Sequence, residues 1–145
     1  MKSADIMTRP VRTIGPDTPV REAAVLMAEL DTGALLVSEG DRLVGIVSDR
    51  DIVVRALAKG LDGGAPVSAI MSGEVRYCYE DQQAGHVAQN MADLQVRRMP
   101  VLDRQKRLVG VVSLANFTRC GDDLINATLL YGVAAPSAST RRSNE

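Results

Sequence analysis

Ten residues, Arg42–Asp51 (R-L-V-G-I-V-S-D-R-D), return almost unchanged as Arg107–Asn116 (R-L-V-G-V-V-S-L-A-N). In both copies an apolar run reaches a Gly, two more apolar residues follow, and a Ser stands three positions before a carboxylate or amide. A repeat within a short chain constrains the fold more than any local propensity. Each copy must form the same supersecondary unit and bury its apolar face against a neighbour.

The repeat extends well beyond these ten residues. Ile6-Met7 matches Ile70-Met71 at an offset of 64, and Val20, Ala23, Ala24, Met27 and Leu30 match Ala84, Val87, Ala88, Met91 and Leu94. Ala34-Leu35-Leu36-Val37 answers Arg98-Met99-Pro100-Val101, and one residue inserted in the following turn makes the offset 65 from Arg107 onward. Helical spacing predicts an amphipathic helix from Pro19 to Leu30, capped by Thr18 and stopped by Thr32-Gly33. Strands are expected at Val11–Ile14, Ala34–Val37 and Leu43–Val47, with a hairpin turn at Glu39-Gly40-Asp41. Ser48 should cap a second helix, Asp49–Lys59, closed by Gly60.

Each half therefore reads β-α-β-β-α, an α/β (α+β) unit. At about 60 residues it is close to the lower limit for a self-sufficient core, so the halves are expected to pack together about a pseudo-twofold axis. Residues 1–64 form the first repeat and 65–121 the second. A short C-terminal helix is expected over 122–131, and a disordered tail over 132–145.

Composition excludes several classes of function. The chain has 145 residues, 46% of them hydrophobic, with 17 basic and 18 acidic side chains. That balance builds no positive field for nucleic acid. With no Trp, one Phe and three Tyr there is little to stack bases on. The longest apolar runs, Ala34–Val37 and Leu108–Val112, are too short to cross a bilayer, and Met1–Arg12 has no signal-peptide core. A cytoplasmic protein without nucleic-acid or membrane partners is expected. Two cysteines, Cys78 and Cys120, make no disulfide framework.

The segments Gly45–Asp51, Arg98–Val101 and Gly110–Asn116 fit a Gly-x-x-Ser/Thr-x-x-Asp/Asn pattern in duplicate. In this the chain, from about Asp5 to Arg119, resembles a tandem pair of CBS domains (a Bateman module) of the stand-alone bacterial type. The resemblance implies a non-enzymatic regulatory module with no required cofactor. Its regulatory ligand would be an adenine nucleotide or adenosyl compound (AMP, ADP, ATP or S-adenosylmethionine), accompanied by Mg2+ if it is ATP. It further implies energy sensing, binding in clefts that draw on both repeats, a homodimer, and a protein effector acted on in trans.

The residues expected to bind such a ligand are Thr13, Ile14, Ala34, Leu35, Ile46, Ser48, Asp51, Tyr77, Arg97, Arg98, Met99, Pro100, Val112, Ser113 and Asn116. Ser48 stands where a strand turns into a helix, a place whose free N–H groups suit a phosphate. By family resemblance, Asp51 would accept both hydroxyls of a ribose. Ile14, Leu35 and Ile46 would sandwich a purine. Arg97 and Arg98 would grip phosphate in bidentate fashion, or else pair with neighbours such as Asp93. Against this stands the capping box. Ser-x-x-Asp at a helix start also describes a serine and an acid that satisfy each other's backbone N–H groups. Asn116 is neutral where Asp51 is charged, and Leu35-Leu36 stands where the second half has Met99-Pro100. Each half thus lacks one family feature, and the pattern leaves open which cleft is intact.

No catalytic or metal-binding constellation is visible. His86 lies off the apolar face of its helix without a His partner, and Cys78 aligns with Ile14 as a core residue. The alternatives are a ligand-free interaction module whose motifs are helix caps, and a redox-responsive dimer joined through Cys120.

Overall fold

The computed structural model describes residues 1–119. Cys120, the expected helix over 122–131 and the tail over 132–145 lie outside them. The chain divides into two compact units. One is Arg12–Val75, the other Met1–Val11 together with the described residues from Arg76 to Arg119.

The Arg12–Val75 unit contains β1 (Thr13–Ile14), α2 (Val20–Leu30), β2 (Ala34–Glu39), β3 (Arg42–Ser48) and α3 (Asp49–Asp51), which continues as a π-helix over Ile52–Leu57. The other unit contains α1 (Ser3–Ile6), β4 (Cys78–Tyr79), α4 (Ala84–Leu94), β5 (Arg98–Leu102), β6 (Leu108–Ser113) and α5 (Leu114–Arg119). Each sheet has three strands. β1 runs parallel to β2, which is antiparallel to β3; β4 runs parallel to β5, which is antiparallel to β6. The β-α-β-β-α order read from the repeat is present in both units.

Burial follows the helical period. Val20, Ala23 and Met27 of α2 pack on Leu35, Val37 and Val47 of the sheet. Their repeat-mates Ala84, Val87 and Met91 pack on Met99, Val101 and Val112. Leu30 and Leu94, the last apolar residues of each stripe, stay exposed. Cys78 is buried in the second core, where loss of hydration pushes its thiol up to about 11.

Two helix ends differ from expectation. Thr18 does not cap α2; the cap position is Pro19, with no side-chain bond. The first N–H groups are satisfied instead by main chain, Val20 donating to the Ala65 carbonyl (2.8 Å) and Arg21 to Gly63 (3.0 Å). A linker that supplies carbonyls there makes a side-chain cap redundant. α2 ends at Leu30 as expected, but the stop is Asp31, which turns left-handed at φ 53°, rather than Thr32-Gly33. Gln95 does the same after α4 at φ 57°. Gly33 serves a different purpose, its carbonyl accepting the Asp49 N–H at the start of α3.

The linker and the N-terminus are structural. Ile46 and Ser72 exchange both main-chain hydrogen bonds at 2.9 Å, and Thr8 and Val111 do likewise at 2.8 and 3.0 Å. The crossing chain passes directly over the motif glycines. A Cβ on Gly45 would stand 2.6 Å from Met71 Sδ and 2.9 Å from the Ser72 carbonyl oxygen. On Gly110 it would meet Met7 Sδ and the Thr8 carbonyl. That explains why Ile-Met and the motif Gly recur together: a segment crosses each β-hairpin so closely that only glycine fits beneath it.

The residue inserted in the second hairpin turn is held by Asp103. This buried carboxylate accepts the N–H groups of Gln105 and Arg107 (2.9 Å each) and the Arg107 Nε (2.7 Å). The Arg107 N–H foremost, with the Arg107 guanidinium and the Gln105 N–H, holds the Asp103 carboxyl below the usual carboxylate range. A carboxyl depressed on folding stabilises above its unfolded pKa and loses that contribution as pH falls through its folded value.

Two outcomes are expected. Gly45→Ala should cost about 1–3 kcal/mol in urea denaturation through overpacking against the Ser72 backbone. In acid titrations of thermal stability, Asp103→Asn should lower the melting temperature at neutral pH, and its curve should converge on that of the wild type as the pH drops through the carboxylate range. Parallel curves at every pH would show that Asp103 carries no pH-dependent stability.

Candidate functional site

The two Ser motifs occupy the same place in their units and differ in chemistry. Ser48 ends β3 and is the cap residue of α3; its Oγ accepts the Asp51 N–H at 3.1 Å, and Asp51 Oδ2 accepts the Ser48 N–H at 2.9 Å. The capping box is therefore formed. It occupies one carboxylate oxygen. The other, Oδ1, stands 3.7 Å from Arg55 Nε, and the Asp51 side chain keeps 18% of its exposure. Asp51 can act as a cap and still have lone pairs free for another donor.

Asn116 has its carbonyl oxygen fully engaged. Its Oδ1 accepts both the Ser113 N–H (2.7 Å) and the Ser113 hydroxyl (2.9 Å), and its Nδ2 donates to Thr8 Oγ1 (3.0 Å). Only 6% of the residue is exposed. An amide oxygen has two lone pairs, and here both are used.

The sheet register places the remaining candidates. In the ladder Ala34 lies opposite Ser48 and Leu36 opposite Ile46, with Thr13 beside Leu36. Strand alternation puts these five on one face and turns Leu35 and Ile14 the other way. Leu35 is buried in the core, with Ile14 packed against it. The expected apolar walls Leu35 and Ile14 therefore belong to the core, and Leu36, absent from the sequence-based set, shares the open face with Ile46.

The second unit needs the same correction. Met99 and Val112 lie opposite each other in the ladder and are buried in the core. Arg98 faces Ser113, and Pro100 faces Val111. Val111, not Val112, is the repeat-mate of Ile46. The 65-residue offset carried that signal; within the all-apolar run A-L-L-V no sequence signal separated Leu36 from Leu35.

Arg97 is exposed, and its carbonyl accepts the Leu114 N–H. Asp93, a candidate partner for the arginines, accepts the Gln89 amide at 2.9 Å. The Tyr77 hydroxyl lies 3.1 Å from Lys106 Nζ, which holds it below the ordinary phenol range. Its ring meets Tyr79 edge-on, and Arg104 stacks on Tyr79 while gripping Asp81 with two 2.8 Å bonds.

A cleft of about 570 Å³ opens between β1 and α2. Thr13, Ile14, Thr18 and Leu26 line it, together with the opposed charges Arg12, Arg21, Glu22 and Glu29. Ser48 and Asp51 are not among its walls. Among the described residues no group of three His, Cys, Asp or Glu could hold a metal ion, and no helix is long and apolar enough to cross a membrane.

Comparison with known proteins places this geometry. The CBS domain family model matches the chain twice, over residues 4–57 and 67–121. The chain belongs to the CBS-domain family and carries two copies of the domain. It is 41% identical over 141 residues to the CBS domain-containing protein YhcV of Bacillus subtilis, covering 97% of this chain and 94% of that one. Among solved structures it is similar to Hypoxic Response Protein I with two coordinated zinc ions (36% identity, 82% of this chain and 98% of that one, TM-score 0.71). It is also similar to CBSX2 in complex with AMP (25%, 82% and 94%, TM-score 0.71). A third is the CBS domain pair of protein MJ0100 with 5-methylthioadenosine and S-adenosyl-L-methionine (28%, 83% and 94%, TM-score 0.67).

The two caps should respond differently to substitution. Ser48→Ala removes one cap bond and should cost about 1 kcal/mol. Asn116→Ala leaves the Ser113 N–H and the Thr8 hydroxyl without their buried partner and should cost about 1–3 kcal/mol. Chemical denaturation of the two variants beside the wild type checks the order.

Proposed function

We propose that this chain is a non-enzymatic, cytoplasmic regulatory module that binds an adenine nucleotide or adenosyl ligand and signals by its occupancy. The observation that carries this reading is Asp51. Its carboxylate is oriented by the Ser48 N–H, partly exposed, and free to accept further hydrogen bonds. Two hydroxyls on adjacent carbons of a ribose suit such an acceptor, and charge strengthens each bond. CBSX2 with AMP and MJ0100 with S-adenosyl-L-methionine are relatives in which ligands of this chemistry are bound. AMP, ADP, ATP and S-adenosylmethionine are the candidates, with Mg2+ accompanying the phosphates of ATP.

Within the Arg12–Val75 unit, Thr13, Ala34, Leu36 and Ile46 share the Ser48 face of the sheet and supply an apolar wall with one hydroxyl. Because Asn116 is neutral and buried with its carbonyl oxygen fully engaged, one strong site per chain, at Asp51, is the reading its geometry supports. Val25, Val53 and Leu57 are exposed on the helices of the first-repeat unit. A second copy of the chain covering them would make the homodimer through which, or through an effector in trans, occupancy is passed on; a role in energy sensing follows if AMP and ATP compete.

A second reading has its own support. The Ser48 motif is a complete capping box, and Asn116 accepts the Ser113 N–H at the second, as an interaction module whose motifs are helix caps requires. Thermal melts with AMP, ADP, ATP, S-adenosylmethionine and GTP separate the two. A ligand at a hundredfold excess over its Kd adds about 2.7 kcal/mol of stability. Stabilisation by adenine ligands but not GTP is expected. Asp51→Asn keeps a cap of the kind Asn116 makes and removes the charge, so it should weaken that binding about tenfold or more. Melting curves unmoved by every ligand would favour the empty-cleft module.

A further inference from the structure

We infer that Arg55 positions Asp51 for the ligand's hydroxyls and links that carboxylate to the segment at Ile70–Ser72, so that ligand occupancy is felt there. The inference rests on the nucleotide reading of Asp51.

The second repeat shows what such a link looks like. Asn116 is bonded directly to the segment crossing its own sheet, donating from Nδ2 to Thr8 Oγ1. Ser72 is the repeat-mate of Thr8, and it crosses the other sheet in the same way. Asp51 has no N–H to give the crossing segment as Asn116 does, because a carboxylate only accepts hydrogen bonds. At the first motif the bond to the crossing segment comes from Arg55. It lies one helical turn beyond Asp51, where residues four apart face each other. Its Nε stands 3.7 Å from Asp51 Oδ1, while its Nη1 donates to the Ile70 carbonyl at 3.2 Å. One rigid guanidinium therefore spans the motif acid and the crossing segment.

Ile70 is buried, and the two residues after it are the ones that matter to the motif. Met71 lies over Gly45, and Ser72 pairs with Ile46 in both directions. Arg55 itself sits in the π-helical stretch that starts at the residue after Asp51, whereas α5, which follows the second motif, is α-helical. Irregular windings of this kind recur at functional positions.

The chemistry sets the direction of the effect. Asp51 Oδ2 is held by the Ser48 N–H, and the Arg55 guanidinium stands 3.7 Å from Oδ1 as an ion pair. A carboxylate anchored at one oxygen with a cation beside the other is restricted in orientation, which lowers the ordering cost when a diol arrives. A ligand drawing on Oδ1 shares that oxygen with the guanidinium and so acts on its second partner, the Ile70 carbonyl. Arg55 touches neither ligand nor phosphate in this account; it acts through Asp51.

The test uses the full chain with AMP, and S-adenosylmethionine in parallel, as probes. Calorimetry reads affinity, and hydrogen–deuterium exchange reads the amides of residues 70–73. In the wild type, ligand should change the exchange of those amides. Arg55→Ala should weaken binding about fivefold and abolish the ligand-dependent change. Arg55→Lys keeps the charge but not the fork, so it should recover part of the affinity without the exchange response. The Arg55 side chain is half exposed, and both variants should melt near the wild type. Arg55→Ala with wild-type affinity and an intact exchange response would overturn the inference, as would wild-type binding with no change at 70–73. Failure of the wild type to bind either probe would instead overturn the nucleotide reading, and the inference with it.

Discussion

In each unit a strand glycine lies beneath a crossing piece of backbone, and the rest of the unit depends on that close approach. Met71-Ser72 passes over Gly45, and Met7-Thr8 passes over Gly110. The crossing segment pairs with the neighbouring strand residue, Ile46 or Val111, and so fixes where each strand ends. The strand end fixes where the Ser falls, and the Ser starts the helix. The motif's Gly-x-x-Ser spacing is therefore a packing requirement first: close approach at the Gly, one more pair of residues, then a cap. The chemistry of the site is placed on top of this.

The same constraint explains how the repeats share the chain. The N-terminal segment Met1–Val11 belongs to the unit of the second repeat, and the linker before the second repeat belongs to the unit of the first. These segments also satisfy helix starts with main chain. Ala65 and Gly63 serve α2, and the Met1 carbonyl accepts the Ala84 N–H of α4 at 2.7 Å. Both segments are thus structural parts of the units they join.

Within this common frame the two motif residues have diverged by a single functional group. An amide both donates and accepts, so Asn116 reaches the Ser113 backbone, the Ser113 hydroxyl and Thr8 at once and has no acceptor capacity left. A carboxylate only accepts, so Asp51 keeps free lone pairs, and the neighbouring Arg55 makes the bond to the crossing segment. Replacing oxygen by NH2 separates a buried amide tied to the crossing segment from a partly exposed carboxylate with acceptor capacity to spare.

The β-α-β-β-α order, the helix faces and the duplicated motif were legible in the sequence by itself. They follow from apolar periodicity and from the repeat, and both are local properties written along the chain. The core positions Val20, Ala23 and Met27, with their mates at 84, 87 and 91, needed nothing more. Which face each strand residue takes was legible in principle but lay beneath the apolar runs. Where every residue from 34 to 37 is apolar, hydrophobicity cannot tell Leu35 in the core from Leu36 on the open face, and only the ladder register does. Tertiary structure alone decided that linker carbonyls replace Thr18 as the cap of α2, that Asn116 is bonded to Thr8 from 108 residues away, and that Arg55 bridges Asp51 to Ile70. Each of these depends on donors and acceptors distant in sequence meeting at hydrogen-bonding distance, and spacing along a chain carries no record of that.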